Sequence, residues 1–141
     1  MIQARASILV SRPREAVFAF IADPANDHQW RSHLVASRGR VGAVGDRITQ
    51  TYSYEGKTQS MEFTVSEFEP PERLSYRLSG PLPVRLAFQC REEAGGTRVS
   101  MSFSATPTGI VSVLEGRITG EAARIAHADL DRLKRVLESV R

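Results

Sequence analysis

The chain has 141 residues, 41% hydrophobic and 25% charged, with a formal net charge of +3 and a single cysteine. That is one domain with enough chain for a real core, and a lone Cys90 excludes a disulfide scaffold or a cysteine-paired metal site. No apolar run approaches the length of a membrane span, and the basic residues are scattered from Arg5 to Arg141 among acidic ones, which argues against nucleic acid and for a solvated surface.

In chain order, the first run, 2–10, alternates Ile2, Ala4, Ala6, Ile8 and Val10 against Gln3, Arg5 and Ser7, the pattern of a half-buried strand. It begins MIQARASILV, without the basic region, long apolar core and cleavage site of a secretory signal, so a cytoplasmic protein starting here is expected. Pro13 suits the first position of a short helix carrying Val17, Phe18, Phe20 and Ile21. Asp23 caps a second short helix with Pro24 at its start, bearing Asn26, Asp27, His28, Trp30 and His33.

From residue 34 to 105 the text is that of an antiparallel sheet. A weak strand over 35–41 ends at Gly42, and Gly45-Asp46 turns into 47–54, where Ile48, Gln50, Tyr52 and Tyr54 share a face. Glu55-Gly56-Lys57 turns into 59–68, with Met61, Phe63 and Val65 on one side, until Pro70-Pro71 forbids further pairing. Leu74, Tyr76 and Leu78 mark the next strand, and Gly80-Pro81 leads to Val84, Leu86, Phe88 and Cys90. Gly95-Gly96 leads to Val99, Met101, Phe103 and Ala105, making about seven strands in all. Residues 110–114 read as a short apolar helix.

The last stretch, 117–140, is a long amphipathic helix. Ile118, Ala122, Ile125, Ala126, Leu133, Val136, Leu137 and Val140 gather on one stripe, with Gly116 and Gly120 loosening its start. Such a stripe must be buried, and a curved sheet wrapped around it is the economical solution: an α+β fold rather than parallel α/β. Asp129 lies on the stripe itself, where an ionised carboxylate is costly unless paired, hydrated or put to use.

The run SRPREAVFAFIADP followed by Trp30, then VSEFEPPERLSY over 65–76, GGTRV over 95–99 and the closing helix resemble, in that order, the polyketide cyclase/dehydrase-like branch of the SRPBCC superfamily, whose relatives include START-type lipid-transfer domains. The resemblance spans 1–141 as a single domain. It implies a helix-grip fold, a curved antiparallel sheet around the C-terminal helix with two short helices after the first strand. It also implies a cavity between sheet and helix for a hydrophobic or aromatic small molecule, in a bacterial-type protein. Its motifs are turns and element starts, none of which performs chemistry.

Tested against chemical templates, His28, His33, His127 and Cys90 form no metal-ligand spacing, no serine sits in G-x-S-x-G, and Gly95-Gly96 joins strands rather than cradling phosphate. No metal and no cofactor are expected. Asp129 is the candidate general acid or base, buried and raised in pKa, or else a structural partner of Arg132 or of an arginine from the sheet. Trp30, Tyr52, Tyr54, Met61, Phe63, Tyr76, Phe88, Met101, Phe103, Ile125 and Leu133 are the expected ligand-binding wall, apolar with a few phenols, or else simply core. Three functions follow: a ligand carrier, a cyclase or dehydratase in which Tyr52, Tyr76 or His28 orients Asp129, and a protein-interaction module. A homodimer is open to an exposed strand edge or the mouth of the grip.

Overall fold

The computed structural model describes residues 2–78, 83–106 and 115–139. Seven strands, β1 (Ile2–Val10), β2 (Leu34–Gly39), β3 (Arg47–Tyr54), β4 (Lys57–Glu69), β5 (Arg73–Leu78), β6 (Val84–Glu93) and β7 (Gly96–Ala105), form one antiparallel sheet in the order β1-β7-β6-β5-β4-β3-β2. From β2 to β7 each strand pairs with the next in sequence. The first strand then closes on the last, from Ile2 opposite Ala105 to Val10 opposite Thr97.

Helix α1 (Arg14–Ala22) and a 3₁₀ segment (Pro24–Gln29) carry the chain from β1 at one edge to β2 at the other. The second of the two expected helices is therefore a tighter coil. Asp23 does cap it, its carboxylate accepting from Ala25 N at 3.0 Å, but Trp30 N donates to Asp27 O at 3.2 Å, an i to i+3 closure that ends the coil after six residues. Between β3 and β4, Glu55 and Gly56 both take positive φ, 50° and 77°, the backbone of a two-residue hairpin turn.

Alternation decides which side chains enter the core. Ala6, Met101, Phe88 and Leu74 form one inward row across β1, β7, β6 and β5, while Ser7, Ser100, Gln89 and Arg73 form the outward row beside it. Irregularities between Leu34 and Ala36 and between Val65 and Glu67 bend the sheet, which curves over its inner face. Against that face lies α2 (Glu115–Ser139), packed along β1 and touching β7 and the 3₁₀ segment.

The buried stripe of α2 runs through Ala126, Asp129, Leu130, Leu133 and Leu137. Leu130, absent from the expected stripe, is buried, whereas Ile125 and Val136 are half-buried at its edges. Each fully buried leucine contributes about 2 kcal/mol, so the seam is the main attachment of α2. Its C-terminal end is tied down as well: Lys134 Nζ donates to Leu9 O, Arg12 Nε to Leu137 O and Ser11 N to Glu138 Oε2, each at 2.8 Å. Gly116 and Gly120 do not interrupt the helix, which runs through both. The expected helix at 110–114 and the Gly80-Pro81 turn lie outside the described residues.

Candidate functional site

Between the sheet and α2, an otherwise apolar interior contains a connected set of polar side chains. Asp129 is completely buried. Its Oδ1 accepts from Ser32 N at 2.9 Å and from the Ser32 hydroxyl, while its Oδ2 lies 3.4 Å from Arg31 Nε. Arg132, one turn further along α2, approaches Oδ1 at 3.6 Å and donates to Trp30 O at 3.0 Å. The carboxylate on the stripe is thus paired, and the 30–32 turn is held against α2 by it.

Arg31 is the centre of this set. Burial works against its charge, but Tyr52, Asp129 and Asp27 outweigh that and hold its guanidinium protonated above its usual range. Its Cζ lies 5.5 Å from the centre of the Trp30 ring, within reach of the negative ring face. The Trp30 indole Nε1 is buried with no hydrogen-bond partner among the described residues.

On the other side of Arg31, Asp27 projects from the 3₁₀ segment into the sheet. Its Oδ2 accepts from Gln50 Nε2 at 3.0 Å and from Ser37 Oγ at 3.3 Å, and Gln50 Oε1 in turn accepts from Tyr52 OH at 2.6 Å. Desolvation pushes the Asp27 carboxyl up to about 6, although Arg31, Ser37 and Gln50 all oppose the shift. Burial also raises the Tyr52 and Tyr76 phenols, and both remain neutral hydrogen-bonding groups near neutral pH. Two carboxyls therefore flank one buried guanidinium. They differ in environment, since Asp129 meets two cations and a serine, whereas Asp27 meets an amide and a hydroxyl and feels the charge of the same arginine only through space.

Of the expected wall, Trp30, Phe63, Tyr76, Phe88, Met101 and Leu133 are buried and Tyr52, Met61, Phe103 and Ile125 are half-buried. Trp30 meets Phe88 edge-on at 5.7 Å and Phe63 meets Tyr76 at 6.4 Å. Tyr54 does not join them. It is 49% exposed at the end of β3, where the strand runs past the core, and its ring packs against His33 at 4.7 Å. His28 and His33 are exposed, and so is His127 on the outer side of α2. Among the described residues no group of three histidine, cysteine or acidic side chains is placed to hold a metal ion. Cys90 is buried, and desolvation pushes its thiol up to about 12, leaving it protonated and unreactive.

Asp27, Arg31, Ser32 and Gln50 were not among the expected site residues. One signal was present: Gln50 shares a strand face with Ile48 and Tyr52, and an amide on an apolar face needs a buried partner. Nothing in the local pattern names Arg31, because a turn has no periodicity to place it inside.

The sequence profile of the family described as polyketide cyclase / dehydrase and lipid transport matches residues 1–138. The chain belongs to that family. Solved structures similar to this family member include a Thermus thermophilus protein, 16% identical with a TM-score of 0.81 over 99% of both chains. A Mesorhizobium loti protein is 20% identical, with a TM-score of 0.78 over 99% of this chain and 98% of its own. The di-domain ARO/CYC BexL from the BE-7585A biosynthetic pathway is 18% identical, with a TM-score of 0.75 over 95% of this chain and 49% of its own. At these identities the likeness is one of fold. No curated protein matches the sequence.

Proposed function

We propose that this polyketide cyclase-family protein binds a hydrophobic or aromatic small molecule between the inner face of the sheet and α2, its polar end directed at Arg31 and Trp30. One observation carries the reading: a buried guanidinium and an indole N–H with no partner among the described residues stand side by side where the buried polar set meets the apolar core. A protein built only for stability gains nothing from leaving a buried donor unpaired, which costs about 1–3 kcal/mol. An acceptor oxygen on a ligand, such as a carbonyl or phenol, satisfies it. The half-buried Tyr52, Met61 and Phe103 supply adjoining apolar surface.

The test is native mass spectrometry of the protein purified without detergent from its own host, with the released molecule identified. A stoichiometric hydrophobic adduct that Phe103→Ser abolishes is the expected result. An empty protein that also ignores a hydrophobic fluorescent probe overturns the reading and favours a protein-interaction module.

A second reading, a cyclase or dehydratase acting on an enolisable substrate, is favoured by the buried carboxyl pair beside Arg31. Asp27, pushed up to about 6, is poised to exchange a proton near neutral pH. Asp129 is the other candidate acid or base, with Tyr52 and Tyr76 orienting the substrate. Turnover of the released molecule that Asp27→Asn or Asp129→Asn removes, with binding retained, supports this reading. Turnover unaffected by both substitutions sinks it.

A further inference from the structure

A groove of about 840 Å³ runs across β1, β7, β6 and β5, lined mostly by outward-facing side chains, with Glu67 of β4 and His127 of α2 also in its wall. Its floor is made of small side chains in register: Ser102 and Ala87 stand opposite each other, with Ser7 and Ser100 as the neighbouring pair. Arginines rise around it. Arg5 stands on β1, Arg85 and Arg91 on β6 and Arg73 on β5. Arg73 and Arg85 are partly neutralised by Glu69 and Glu67, at 3.7 and 3.9 Å, whereas Arg5 and Arg91 have no carboxylate partner among the described residues.

We propose that this groove binds a small molecule carrying two or more phosphate groups. Strands lie about 4.8 Å apart, so the backbones of β1 and β5 are separated by about 14 Å, and arginines spread over that span offer guanidiniums to more than one phosphate group of a short chain. Guanidinium forks, serine hydroxyls and the Gln89 amide together match phosphate oxygens in both geometry and charge. The volume falls within the range of small-molecule sites. Glu67 and Glu69 on β4 close the far side with negative charge, which disfavours a continuous polyanion or a flat anionic membrane crossing the same face. Its arginines stand on the opposite side of the sheet from Arg31 and Asp129.

The test is calorimetric titration of the full chain with sodium tripolyphosphate, alongside amide NMR spectra of the unmodified protein. One-to-one binding is expected, with shifts concentrated in β1, β5, β6 and β7. The double variant Arg5→Gln, Arg91→Gln, both exposed and expected to fold normally, weakens binding by at least about tenfold. Arg38→Gln, on the same face of β2 but outside the groove, changes it by no more than about twofold. No binding, an equal loss in Arg38→Gln, or shifts spread over the whole surface overturns the proposal. Equally tight binding of citrate would refute the phosphate assignment. Tighter binding of a single-stranded oligonucleotide or an anionic lipid vesicle would replace the small molecule with a macromolecular partner.

Discussion

Asp129 and Asp27 sit on either side of one arginine, and their different surroundings give opposite expectations for the same substitution. Asp129→Asn keeps the acceptor for Ser32 but removes the charge opposite Arg31, leaving a buried cation short of a partner. A loss of about 3 kcal/mol in urea denaturation is expected. Asp27 behaves the other way. The folded protein holds its proton more tightly than the unfolded chain, whose carboxyl keeps the ordinary 3.8, so the stability it contributes is full below that value and lost as the pH rises through about 6. Two pKa units correspond to about 3 kcal/mol. Asp27→Asn, neutral throughout, is therefore expected to gain up to about 3 kcal/mol on the parent between pH 4 and pH 8, read from urea midpoints at the two ends. Asp129 was legible in the sequence because helical periodicity places it on the stripe. Its principal partner was not, since Ser32 lies 97 residues away in a turn without a pattern.

At the scale of the element, glycines in different settings separate backbone geometry from helix propensity. Gly96 opens β7 with φ 149°, and a Cβ there would lie 2.0 Å from Val10 O, where only backbone movement makes room. Gly96→Ala is expected to cost about 3 kcal/mol or more in thermal or urea unfolding, by forcing apart the β1–β7 pairing on which α2 rests. Gly120 lies exposed within α2, and a Cβ there meets nothing within 4 Å. Gly120→Ala is expected to stabilise the protein by about 1 kcal/mol through helix propensity. Strand alternation and the helical stripe made these elements readable in advance, with β4 observed over Lys57–Glu69 against an expected 59–68. The 3₁₀ segment has the sequence signals of a helix, because caps and prolines mark where a coil starts but not how tightly it winds.

At the scale of the whole molecule, occupancy of the inner site links to stability. A ligand at one hundred times its dissociation constant adds about 2.7 kcal/mol to a protein that binds it only when folded. For a chain of this size that is a rise of roughly 8 °C in melting temperature, measurable when the molecule released from the native protein is added back. No rise, or one that survives Phe103→Ser, would place the binding elsewhere. Both faces of the sheet also show why linear charge patterns mislead. Arg5, Arg73, Arg85 and Arg91 are spread through the sequence among acidic residues, and a scattered distribution reads as a solvated surface. The antiparallel register gathers them around one groove. The seven-stranded sheet, the long closing helix and most of their inward side chains are legible in the chain alone, because periodicity and turn chemistry are local and survive without coordinates. Folding in three dimensions is what brings Arg31 and Ser32 to Asp129, joins Asp27 to Gln50 and Tyr52, and takes Tyr54 out of the core. Each of these depends on distances between segments far apart in the chain, and a repeating pattern within one segment carries no record of them.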